Sequence, residues 1–151
     1  MSRIRIVVAD QAEAIFYDST SLQGRPREVA RITDPAAHLK DRDFSSDRPG
    51  RSYERVGGAR HAVGKEGEPR HREAMRFARR IARRLDDARR KDEFEELIVV
   101  AGPPFLGLVR EELSRPTRAR VVHEIRKDLV HGPFETLQAH LARCAEELHP
   151  A

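Results

Sequence analysis

The sequence has one cysteine, no tryptophan and 5% aromatic residues, and none of its apolar runs nears the ~18 residues that a membrane-spanning helix needs. Each shortage removes a class of protein. With Cys144 alone, no internal disulfide can form and no cysteine pair offers zinc-ligand spacing, which excludes a disulfide-stapled secreted domain and a cysteine-based zinc site. The first residues enter a charged strand with no apolar signal core behind their arginines, so a protein of the reducing cytoplasm is expected, neither exported nor inserted in a membrane. His123, His131, His140 and His149 lack compact metal-ligand spacing, and neither a metal nor another cofactor is expected.

What is present is charge, at 36% of residues, and such a chain would be disordered if its apolar residues were scattered. They are grouped. Ile4-Arg5-Ile6-Val7-Val8-Ala9 and Leu97-Ile98-Val99-Val100-Ala101 are strand-like, and 151 residues suit one domain, residues 1–151, around one core. The first strand is expected from Arg3 to Ala9, the break at Asp10-Gln11 makes a hairpin with a second strand from Glu13 to Tyr17, and Arg27 to Ile32 is an edge strand with few apolar positions.

From Thr33 to Glu68 periodicity disappears among glycines, prolines and alternating charges. A basic loop at about 33–68 follows, interrupted at most by a helical turn near Pro35 to Leu39. Loops of that length in small domains are usually functional or disordered. Pro69 opens a helix to about Lys91 whose Ala74, Phe77, Ala78, Ile81, Leu85 and Ala88 form one apolar stripe. A strand from Leu97 to Ala101, a helix from Phe105 to Leu113, a strand from Arg118 to Ile125 and a helix from Pro133 to Leu148 complete the order βββ-loop-αβαβα. The fold class is α/β, with a mixed sheet whose first strands are antiparallel and whose later ones are joined by helical crossovers.

Between Glu68 and Asp92 ten Lys or Arg face five acids, a local excess larger than the net charge of +4 of the whole chain. On a helix with about 100° per residue, Arg72, Arg76, Arg79, Arg83 and Arg90 fall within about 40° of one direction, opposite the apolar stripe. This predicts a basic ridge facing solvent and free of acids, where a helix built only for stability would interleave Glu with Arg. Arg42, Arg48, Arg51, Arg55 and Arg60 in the loop add planar forks suited to phosphate. Gly57 and Gly58 beside them let backbone N–H groups approach it closely. A polyanionic RNA is the expected partner.

The motifs Asp41-Arg42-Asp43-Phe44-Ser45-Ser46-Asp47-Arg48-Pro49-Gly50-Arg51 and Gly57-Gly58-Ala59-Arg60-His61-Ala62 resemble the bacterial host attachment protein family. The resemblance extends from Val7-Val8-Ala9-Asp10 to Ala101-Gly102-Pro103-Pro104-Phe105-Leu106-Gly107 and Lys127-Asp128-Leu129. That family in turn resembles the central domain of archaeo-eukaryotic peptide chain release factors, which implies a ribonuclease H-like mixed sheet and an association with tRNA or the ribosome. In release factors a Gly-Gly-Gln loop promotes peptidyl-tRNA hydrolysis. Here Ala59 stands where the glutamine would be, so release chemistry is not expected at this loop.

The leading expectation is therefore a noncatalytic, cytoplasmic RNA-binding domain of the host attachment family. One alternative is a stand-alone peptidyl-tRNA hydrolase working from the Gly57-Gly58 loop, with His61 as its candidate general base. Another is an adhesion or protein-interaction module. A two-metal nuclease would need converging carboxylates, and Asp10 at the end of the first strand reads instead as a turn cap. Gly102-Pro103-Pro104 reads as a structural turn, because its prolines carry no N–H donor.

Overall fold

Two strands, β1 (Ile4–Ala9) and β4 (Glu96–Ala101), lie side by side in parallel, and their near-continuous Ile, Leu and Val content follows from burial on both faces. The computed structural model describes residues 2–36 and 69–148. β2 (Glu13–Ser19) turns back antiparallel on β1, β3 (Arg27–Thr33) pairs antiparallel with β2, and β5 (Val121–Ile125) runs parallel to β4. The sheet order is β3-β2-β1-β4-β5. β3 is the half-exposed edge that its sparse apolar residues predict.

Side-chain alternation along the strands divides the core into two layers. Val7, Ala9, Phe16, Leu97 and Val99 face α1 (Pro69–Arg90) and α2 (Pro103–Glu112). Ile6, Val8, Ile15, Ile98 and Val100 face α4 (Phe134–Leu148), which contributes Leu137, Leu141 and Cys144. All six stripe positions of α1, from Ala74 to Ala88, are buried, together with Ala82. Phe77 stacks on Phe105 with ring centroids 6.2 Å apart, which ties α1 to α2.

Arg5 is a charged residue buried within the sheet. Its side chain bonds both carboxylate oxygens of Asp18, at 2.5 and 3.2 Å, and reaches Glu93 at 3.3 Å. A buried guanidinium is tolerated when it is paired in this way. Its place in an otherwise apolar strand therefore serves the fold.

Two expected element boundaries are corrected. Gly102 caps α2, and Pro103 and Pro104, read from the sequence as a turn before a helix from Phe105, form its first positions. The segment from Arg118 does not begin a strand at once, because a short helix α3 (Arg115–Arg118) precedes β5. Ser114 caps that turn by accepting from the Thr117 N–H at 3.4 Å, and Pro116 suits its first positions. The element order is thus βββ, then αβααβα. Pro35 and Ala36 are helical, and the remainder of that expected turn lies outside the described residues.

Burial pushes the Cys144 thiol up to about 11, with Glu147 adding to the shift and Arg143 opposing it. A thiol so placed holds little reactive thiolate near pH 8. Native protein should resist a thiol reagent at that pH and react fully once unfolded in denaturant. Prompt labelling of the native form would show that α4 is not packed as described.

Candidate functional site

The solvent side of α1 carries the predicted ridge, and Arg72, Arg76, Arg79, Arg83 and Arg90 are all exposed. The ridge is not free of acids, which corrects the sequence expectation. Arg76 pairs with Glu73 at 3.1 Å and Arg90 with Asp87 at 2.7 Å, each one turn back along the helix. Arg79 meets Glu112 of α2 at 3.1 Å. The helical wheel missed these partners because long side chains reach across neighbouring positions, and because Glu112 belongs to another helix.

The side chains of Arg76, Arg79 and Arg90 remain 60%, 46% and 59% exposed. Such ion pairs contribute roughly 0–1 kcal/mol each, so an incoming phosphate can displace the carboxylate at little cost. Arg72 and Arg83 make no ion pair or hydrogen bond among the described residues. Other arginines of α1 serve packing instead. Arg80 donates to the Thr33 carbonyl at 3.1 Å and lies over the Phe77 ring, Arg84 lies over Phe16, and Arg89 donates to Thr117 Oγ1 at 2.9 Å.

Arg42, Arg48, Arg51, Arg55, Gly57, Gly58 and Arg60, with His61, lie outside the described residues. Nothing in the described structure therefore joins them to the ridge.

A cleft of about 490 Å³, not foreseen from the sequence, opens where α1 begins. Asp10 after β1 and Gly102 after β4 border it, Arg70 and His71 reach it from the first turn of α1, and Asp128 joins from the segment after β5. Phe105 and Leu108 of α2 supply apolar lining. Asp10 is held rigidly, as a cap: its Oδ1 accepts from the N–H groups of Ala12 and Glu13 at 2.9 and 2.8 Å. Its Oδ2 stands 3.6 Å from His131 Nε2. Among the described residues no group of three or more acidic, His or Cys side chains could hold a metal ion.

A carboxyl pair adjoins the start of α1. Asp34 is 5% exposed, and no donor among the described residues reaches its Oδ2. Burial raises its pKa above the ordinary carboxyl value, and the neighbouring Glu73 carboxyl raises it further, while the Ala36 N–H and Arg80 oppose the shift. The two acids are distant in sequence, so no motif announced them.

These features define a class: an α/β domain on a five-stranded mixed sheet, with a basic helix outside and a cleft of mixed polarity at the strand ends. Residues 5–141 match the family model for a protein required for attachment to host cells. The chain belongs to that family. It is 28% identical over 140 residues to an uncharacterized protein of Rickettsia prowazekii (strain Madrid E), with 88% of each chain covered. Among solved structures it is similar to an archaeal protein at 10% identity and a TM-score of 0.46, over 97% of this chain. The chain spans 38% of that protein's length. No helix among the described residues is long and apolar enough to cross a membrane.

The Asp34 carboxyl makes stability depend on pH. Its native pKa lies above the unfolded one, so the native state carries no penalty below the unfolded value, loses stability as pH rises from there, and stops losing it above the native value. Asp34→Asn keeps an acceptor for Ala36 and offers an N–H toward Glu73. It should raise the melting temperature near neutral pH and change it little in acid. Equal effects at both pH values would refute the buried acid pair.

Proposed function

We propose that this chain binds RNA through the solvent side of α1, as a noncatalytic cytoplasmic domain that contacts tRNA or the ribosome. The observation that carries the reading is the state of the ridge. Arg72 and Arg83 have no partner among the described residues, and Arg76, Arg79 and Arg90 hold exposed ones that a phosphate can replace. A flat row of guanidinium groups on a helix anchored by its other side meets a phosphate backbone without reorganising the fold.

A ribonuclease H-like class for the sheet, and kinship with the release factor central domain, belong to the same proposal. The meander β1-β2-β3 followed by two parallel strands reached through helices supports it. The family's description, attachment to host cells, names an outcome at the level of the cell, and RNA binding would be a molecular activity beneath it. The peptidyl-tRNA hydrolase alternative rests on Gly57, Gly58 and His61, and no observation within the described residues favours it.

Fluorescence anisotropy with labelled tRNA tests the reading. Affinity should fall steeply between roughly 50 and 200 mM salt. Arg72→Glu together with Arg83→Glu should weaken binding by at least about tenfold, since each replaces a phosphate contact with a repulsion. A double variant that binds as tightly as the parent would leave the ridge as a solvated face.

A further inference from the structure

The cleft has a distinctive place in the topology. From β1 the chain continues to β2 on one side, whereas β4 on the other side leads outward to β5. The connections thus diverge between β1 and β4, and in open α/β sheets ligands sit beyond the carboxyl ends of the strands at such a switch point. Asp10 directly follows β1, Gly102 directly follows β4, and both border the cleft. Its volume of about 490 Å³ falls within the roughly 300–1,000 Å³ of small-molecule sites.

The lining selects among ligands by its mixed polarity. A simple anion would meet the carboxylates of Asp10 and Asp128, and a simple cation would meet Arg70. Neither suits the whole surface. A ligand with an anionic end, a hydroxyl-bearing middle and a flat apolar part satisfies each wall in turn. Asp128 is exposed, stands close to Gly102 and makes no ion pair or hydrogen bond among the described residues. It can therefore accept from a vicinal diol without breaking an existing contact. Asp10 cannot do so as freely, because its Oδ1 already holds two backbone N–H groups.

We infer that this cleft binds a nucleoside monophosphate unit, with the phosphate toward Arg70 and His71, the ribose hydroxyls toward Asp128, and the base against Leu108 and Phe105. The unit has two possible sources, a free mononucleotide or the phosphorylated end of an RNA strand. The site adjoins the ridge only at its first residue, Arg72, since a mononucleotide in the cleft cannot extend along the helical turns from His71 to Arg79 and Arg83. Titration with a mononucleotide therefore reads the cleft alone, and failure there leaves the salt-dependent binding of tRNA to be judged by itself.

The experiment titrates the full chain with adenosine 5′-monophosphate and follows amide and histidine resonances by NMR. Saturable shifts should centre on His71, Gly102, Leu108 and Asp128, and ribose 5-phosphate and adenosine should each bind at least about tenfold more weakly. Asp128→Asn should weaken the mononucleotide about tenfold, the scale of one charge-assisted hydrogen bond. Because Asp128 is exposed, the variant's unchanged amide spectrum will confirm that it folds. A short oligoribonucleotide carrying a 5′-phosphate distinguishes the sources: tighter binding than the mononucleotide assigns the cleft to a strand end, and equal or weaker binding to the free nucleotide. The inference is overturned if neither probe shifts the cleft resonances, or if Asp128→Asn and His71→Ala bind adenosine 5′-monophosphate as the parent does.

Discussion

Burial of the apolar stripe of α1 against the sheet is the constraint on which the rest of the molecule depends. Phe77, Ile81 and Leu85 are fully buried on the face formed by Val7, Phe16, Leu97 and Val99, and helices in proteins owe most of their stability to packing of this kind. Once those residues face inward, a period of 3.6 residues leaves Arg72, Arg76, Arg79 and Arg83 no direction but outward. The same docking brings Arg70 and His71 over the ends of β1 and β4. Ridge and cleft are thus two consequences of one packing interaction.

The arginines of this chain divide between structure and surface, and composition alone overstates the surface share. Arg5 is sealed between Asp18, Glu93 and the Phe94 ring. Arg120 donates to the Phe94 carbonyl at 3.0 Å, and Arg110 pairs with Glu124 at 2.5 Å, which holds that carboxyl below the usual range through hydrogen bonding. Arg80 and Arg84 hold their guanidinium groups over the Phe77 and Phe16 rings, and Arg89 reaches the buried Thr117 hydroxyl. On the ridge the count of available guanidinium groups depends on how easily exposed carboxylates are displaced, and surface pairs of this kind are weak.

Much of the architecture could be read from the sequence because its signals are local. The runs at Ile4 to Ala9 and Leu97 to Ala101 are too apolar to be anything but buried strands, and the α1 stripe from Ala74 to Ala88 repeats over about four turns without interruption. The capping of Asp10 was also legible, since a short polar break between two strands needs an acceptor for its backbone donors. What escaped was assembled from distance. The cleft takes residues from the end of β1, the start of α1, the head of α2 and the segment after β5, so no spacing signals it. Glu112 beside Arg79 and Glu73 beside Asp34 became visible only with α1 docked. The short helix α3 was hidden because Arg118, Ala119 and Arg120 extend naturally into the Val121 to Ile125 pattern, while the deciding signal was the Ser114-Arg115-Pro116 cap.

The most direct measurement is photo-crosslinking of the chain to 4-thiouridine-substituted tRNA, followed by identification of the crosslinked peptides. If α1 is held by its apolar face and offers its arginines to phosphate, crosslinks should gather on residues 70–90 and on the adjoining end of α2, and fade as salt is raised. Crosslinks confined to α4 and β5, with α1 untouched, would contradict the account.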